Sequence, residues 1–113
     1  MEHDIRPGGE YFVLEDAPTH KVKRIIVKPE GRLSYQYHHH RAEVWTIVQG
    51  EAIITLDGED KIYKKGEVAK IPLGAKHRIQ NQTGEDVVFI EVQLGTYFGE
   101  DDIVRIEDDY DRE

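Results

Sequence analysis

Two short segments of the chain carry side chains suited to binding a divalent metal. In GRLSYQYHHHRAEVWTIVQG, residues 31–50, the spacing is Gln36-x-His38-x4-Glu43-x6-Gly50. In GEVAKIPLGAKHRIQN, residues 66–81, it is Gly66-x5-Pro72-x-Gly74-x2-His77-x3-Asn81. Alternate side chains of a strand share a face, so Gln36, His38 and His40 are expected to point one way and Tyr37 and His39 the other. Glu43 can reach the same side from a neighbouring strand. Two imidazoles, a carboxylate and an amide oxygen suit zinc, manganese, iron or cobalt, and residue types alone do not rank these. One carboxylate against a dication leaves net positive charge, the condition for a good Lewis acid. Three consecutive histidines can also be a solvated surface run. The second segment argues against that, because His77 needs its spacing only if it faces the first group. Within the triplet, His38 is the best ligand, His40 is expected to line the cavity and His39 to face outward.

Short strands are needed to position these groups. Tyr11 to Glu15 and Lys21 to Val27 read as strands, Pro29-Glu30-Gly31 as a turn, and Leu33 to His40 as the first ligand strand. Val44 to Val48 follows, then Ala52 to Leu56 and the hairpin signal Asp57-Gly58 leading to Ile62. Val68 to Ile71, Lys76 to Gln80 and the apolar run Val87 to Leu94 complete the set. Gly and Pro turns at this spacing predict an antiparallel sandwich or barrel. Only the segment around Asp101 to Tyr110 has a spacing compatible with a helix.

The 113 residues suffice for one domain with a single core. Without cysteine there are no disulfides and no thiolate ligands, which suits a reducing compartment. No apolar run approaches a membrane span and MEHDIRPGGE is unlike a signal peptide, so a cytoplasmic location is expected. Of the net charge of −8, the acidic tail 100–113 contributes −6 through eight acids against Arg105 and Arg112, and it would repel nucleic acid. Lys21, Lys23, Arg24, Lys28, Arg32, Arg41, Lys76 and Arg78 read mainly as solvated charge, with one or two available to an anionic ligand.

The two spaced segments resemble the paired motifs of the cupin superfamily, which implies an all-β, single-domain antiparallel double-stranded β-helix, or jelly-roll barrel, over 1–113. Within the cupins the chain is similar to the C-terminal domain of type II phosphomannose isomerases. The likeness rests on Arg6-Pro7-x-Gly9-x-Tyr11, on Lys21-Val22-Lys23-Arg24-Ile25, on Leu33-Ser34-x-Gln36-x-His38-His39-His40-Arg41-Ala42-Glu43, on Ile71-Pro72-x-Gly74-x-Lys76-His77-Arg78 and on Gly99-Glu100-Asp101-Asp102-Ile103-Val104-Arg105-x-Glu107-Asp108-Asp109-Tyr110. It implies a divalent metal, zinc before manganese, cobalt or iron, held by Gln36, His38, Glu43 and His77. It also implies isomerisation of mannose 6-phosphate and fructose 6-phosphate through a cis-enediol whose negative charge needs a preorganised cation. Arg105 would stabilise that charge. His40 is the candidate proton carrier, and Lys21, Lys23 and Arg24 are the candidates for the phosphate.

The chain departs from the family pattern at Gly8, where Trp is usual, at Val44, where a second His follows the Glu, and at Asp111, where Gly follows the Tyr. These departures favour an alternative, a non-catalytic sugar-phosphate binding module or a subunit for a separate nucleotidyltransferase. A cupin dioxygenase using Fe(II) is a further alternative that fits the metal set but not Gln36. No Gly-rich nucleotide loop occurs in these residues, so guanylyl transfer is not expected of them. The expected partners are a small sugar phosphate and a second copy of the chain, which would cover the apolar strand Val87 to Leu94; neither nucleic acid nor membrane is expected.

Overall fold

The computed structural model describes residues 2–107. Eleven strands follow in chain order: β1 (Glu2–Arg6), β2 (Gly9–Asp16), β3 (His20–Val27), β4 (Tyr35–Tyr37), β5 (Arg41–Gln49), β6 (Glu51–Leu56), β7 (Glu59–Lys64), β8 (Val68–Ile71), β9 (His77–Gln80), β10 (Val87–Gly95) and β11 (Val104–Glu107). They form two antiparallel sheets, ordered β1-β2-β3-β10-β5-β8 and β11-β4-β9-β6-β7. This is the expected all-β jelly roll. No helix among the described residues is long and apolar enough to cross a membrane.

Alternation along the strands builds the interior. On β10, Val87, Phe89, Glu91 and Gln93 are buried and face inward, while Val88, Ile90 and Val92 face out. On β5, Arg41, Glu43, Trp45 and Ile47 are the inward set. One end of the barrel is therefore apolar, centred on Val27, Ile47, Ile54, Ile79 and Phe89. At the other end Lys23, Glu43, Glu91 and Gln93 replace hydrophobes at inward positions. The register pairs Gln93 with Glu43 and Glu91 with both Lys23 and Trp45, so the polar row spans three adjacent strands.

Two expectations are corrected. The first ligand strand ends at Tyr37, and the chain bends at His39 and His40 before β5 begins. The run at 104–107 is strand β11 and not part of a helix, because its edge pairs with β4; residues 108–110 of the expected helix lie outside the described residues. Two departures from the family pattern also find their place. Gly8, at φ 89°, closes the turn between β1 and β2, and its carbonyl accepts from the Lys28 N–H at 3.0 Å. Val44 points out of the barrel opposite Val92, so it lies away from the cavity.

Candidate metal centre and ligand cavity

Glu43 reaches the site from the opposite sheet and not, as expected, from a neighbouring strand: β5 of one sheet and the β4–β9 pair of the other bring His38, Glu43 and His77 together, with one ligand atom of each lying within 4.8 Å of the others. All three are almost wholly buried. Glu43 lies mid-strand on β5, His77 opens β9, and His38 follows β4 directly. The turn before His77 requires Gly74 at φ 79°, in the left-handed region that glycine adopts without penalty. That turn is closed by the Ala75 N–H donating to the Pro72 carbonyl at 3.0 Å. Asn81, the last motif residue, is a brace: its amide donates to the Val27 and Glu85 carbonyls at 3.0 and 2.6 Å.

The hydrogen bonds of the two imidazoles fix their orientation. His38 Nδ1 donates to the Asp102 carbonyl at 2.8 Å, and His77 Nδ1 donates to the Ala75 carbonyl at 3.0 Å. Each ring thereby turns an unprotonated Nε2 toward Glu43, at 3.3 Å from His38 and 3.9 Å from His77, and the His38 Nε2 accepts from the Arg41 guanidinium at 3.5 Å. Such an outer partner orients a metal-binding histidine and raises its basicity. Burial and the Arg41 guanidinium lower the His38 pKa to about 4, and burial lowers that of His77, so both rings are neutral at pH 7 as ligands must be. His77 Nε2 is buried without a hydrogen-bond partner among the described residues. An orphaned, correctly oriented imidazole nitrogen beside a carboxylate fits a borderline divalent ion. Gln36 faces His77 across the β4–β9 register and lines the same cavity.

Glu43 is also held from behind. Trp45 Nε1 donates to Oε1 at 2.9 Å and Arg41 Nε to Oε2 at 2.8 Å. Glu91 adds a second buried carboxyl whose pKa is raised to about 7 by burial and by Glu43. Gln93 donates to it at 2.6 Å.

The cavity of about 100 Å³ in front of this cluster is lined by Tyr11, Lys23, Arg41, Arg78 and Arg105 among others. Its near wall is the C-terminal segment. Glu100 pairs with Lys23, Glu107 with Arg78 at 2.7 Å, and Ile103 lines the cavity. The Asp102 carboxylate accepts the N–H groups of His39 and His40 at 3.0 and 2.9 Å. Glu100, Asp102 and Glu107, read from sequence as part of an acidic tail, close the barrel here. Asp102→Ala keeps the carbonyl that accepts from His38 but removes the carboxylate that anchors it to the His39 and His40 N–H groups, and should weaken divalent-metal affinity by roughly tenfold, within the range for outer partners of metal ligands. Competition with a chromophoric chelator measures it.

The structure separates the other expected site residues. Arg105 on β11, opposite Gln36, and Lys23 on β3 line the cavity. Lys21 lies towards a second hollow beside Asp16, Tyr97 and Phe98. Arg24 is exposed on the outer face, over the Phe12 ring at 4.5 Å, because it neighbours the inward Lys23 and takes the opposite parity. His40 is exposed and outside the cavity, since the strand whose parity placed it there stops three residues earlier. Arg41, read from sequence mainly as solvated charge, is 4% exposed. The roles of Glu91, Gln93, Glu100 and Asp102 were not assigned from sequence. Glu91 and Gln93 did carry a signal, two polar residues two apart in an otherwise apolar strand.

A family model described as "Mannose-6-phosphate isomerase C-terminal" matches residues 2–108. Mannose-1-phosphate guanylyltransferase ManC of Salmonella typhimurium is 47% identical over 95% of this chain and 22% of its own length. The alginate biosynthesis protein AlgA of Pseudomonas aeruginosa is 44% identical over 95% of this chain and 22% of its own length. The chain thus spans about a fifth of the length of these curated relatives. Among solved structures, a cupin 2 conserved barrel domain protein from Salinispora arenicola superposes with a TM-score of 0.72 at 22% identity, covering 82% of this chain and 81% of that one. The relatives correct the expectation of a mannose 6-phosphate isomerase. The family description names the C-terminal part of an isomerase, but relatives 46–48% identical to this chain, over 22–23% of their own length, are named for guanylyl transfer. Isomerisation is not assigned to this domain.

Proposed function

Because the chain belongs to the family described as mannose-6-phosphate isomerase C-terminal and to the cupin superfamily, and its relatives include enzymes named for guanylyl transfer, we propose that it is a metal-holding, sugar-phosphate binding module serving a mannose-1-phosphate guanylyltransferase. One observation carries the reading: Glu43 and His77, clustered with His38, line a cavity shared with Lys23, Arg41, Arg78 and Arg105. Gln36, His38, Glu43 and His77 would hold the ion, zinc by its fit to nitrogen and carboxylate ligands. The bound ion would supply a Lewis-acidic contact for sugar oxygens. The cationic wall recognises phosphate, Tyr11 and Ile103 enclose the ring, and the buried Glu43–Trp45 and Glu43–Arg41 bonds keep the geometry fixed.

Calorimetry of mannose 1-phosphate and mannose 6-phosphate on zinc-loaded protein, beside a coupled turnover assay, tests this. Binding without turnover is expected. Loss of binding to both sugars with the metal in place would remove the reading.

The outer face of the six-stranded sheet bears on assembly. Val44, Val88, Ile90 and Val92 form a half-buried apolar stripe, with Val48 and Leu94 exposed at its ends. The proposal includes a homodimer through this stripe, which two-fold packing would cover with its own copy. Ile90→Arg is expected to convert dimer to monomer in sedimentation at micromolar concentration while leaving metal affinity unchanged. A wild-type chain that sediments as a monomer would refute the pairing.

A further inference from the structure

Lys23 and Arg41 differ from the other cations of the cavity in what holds them. Both are 4% exposed, yet their shared partner, Glu100, has a side chain 38% exposed. Glu100 Oε2 stands 3.1 Å from Lys23 Nζ and 3.7 Å from Arg41 Nη1. The two cations are built into the wall. Lys23 is fixed 4.2 Å over the Tyr11 ring and opposite Glu91 in register, and Arg41 is fixed by Glu43 and by the Phe98 carbonyl at 3.5 Å. Glu100 comes instead from the segment between β10 and β11, in a turn closed by the Asp102 N–H donating to the Gly99 carbonyl at 3.1 Å.

We infer that Lys23 and Arg41 form the subsite for the ligand's phosphate group and that Glu100 is its resident occupant, displaced when the phosphate binds. This rests on the sugar-phosphate reading above and adds to it the position of the phosphate and a built-in competitor. Three observations converge on it. First, a buried lysine and arginine converge on one carboxylate oxygen, and a phosphate monoester offers the same oxygens with more charge. Second, burial pushes the Glu100 carboxyl up, but Lys23 and Arg41 outweigh it and hold it below the usual range, so the resident group is an anion at neutral pH. Third, the cavity of about 100 Å³ is smaller than the ~300 Å³ at which small-molecule pockets begin. Glu100 and Ile103 are the lining residues of the segment whose withdrawal would enlarge it. When Glu100 leaves, the phosphate takes its place on both cations, and Arg41 also keeps its bond to Glu43, so neither cation is stranded.

The test titrates inorganic phosphate, mannose 6-phosphate and uncharged mannose into zinc-loaded wild type, Glu100→Gln and Lys23→Met, with thermal denaturation confirming that each variant is folded. Removing a tethered competitor should tighten phosphate and mannose 6-phosphate in Glu100→Gln by about tenfold, since a linked group acts at millimolar or higher effective concentration. Mannose should be unaffected, and Lys23→Met should lose most phosphate affinity. In the wild type, phosphate should also speed amide exchange at residues 99–102. If wild type binds mannose 6-phosphate but Glu100→Gln binds it no tighter, or exchange at 99–102 is unmoved on binding, the subsite is wrong and the functional reading survives. If no variant binds either anion, both fall together.

Discussion

Replacing His77 with alanine is expected to lower divalent-metal affinity by roughly 100-fold or more, beyond the 10–100-fold typical of losing an outer partner. His77 contributes an oriented Nε2 that is buried without a partner among the described residues, so the wild-type side chain already bears the desolvation that a bound ion would relieve. The variant should therefore lose affinity without losing much fold. The thermal midpoint separates the two effects. A ligand at a hundred times its Kd stabilises the native state by about 2.7 kcal/mol, so zinc should raise the midpoint of the wild type and leave that of the variant nearly unmoved. A variant that still gains the wild-type increment would show that the ion binds elsewhere.

The second large effect is expected from Phe89→Ala. Phe89 is fully buried, packs on Trp45 with ring centroids 4.9 Å apart, and belongs to the central apolar cluster. Truncating a buried phenylalanine costs about 3–5 kcal/mol through lost transfer energy and the cavity left behind. Against the roughly 5–15 kcal/mol by which a domain is stable, that is enough to leave the protein marginal. The loss should also reach the site. Trp45 donates to Glu43 and meets the His77 ring edge-on at 5.4 Å, so a Trp45 ring free to tilt releases a metal ligand. Urea unfolding should show a lower midpoint with an unchanged slope. Phe89→Leu should recover most of the stability. Equal loss in both variants would mean that shape, and not volume, governs this position.

Much of the site was legible because its residues sit in two compact segments whose glycine and proline turns are local devices. Gly74 and Pro72 make a turn wherever they occur, and His77 follows it into β9. The alternation that marked β10 as an apolar strand also located the interior. Parity failed at His40 because it assumes that a strand continues, and Asp102 ends β4 early by capturing two N–H groups that would otherwise extend the ladder. The segment 100–107 was opaque for a related reason. Its acids Glu100, Asp102 and Glu107 are paired with Lys23, Arg41, Arg78 and the His39–His40 backbone, partners 29 to 77 positions away. Nothing local distinguishes such acids from solvated ones. Ile103 and Ile106, three apart, imitate a helical spacing that tertiary pairing with β4 overrides. β1 was missed because EHDIR is polar and exposed and acquires its structure from pairing with β2.

The bond from His38 to the Asp102 carbonyl spans 64 positions, and this has a bearing on biosynthesis. On a chain made from the N-terminus, His38, Glu43 and His77 all emerge before the residue that orients the first of them. The ring of His38 then keeps its rotational freedom until the segment after β10 has been synthesised and its loop closed, an entropic step that grows only slowly with loop length. Metallation competent to lock the fold is thereby deferred until the segment after β10 has emerged, so a nascent chain halted before Asp102 would capture an ion loosely and one extended past it would retain it.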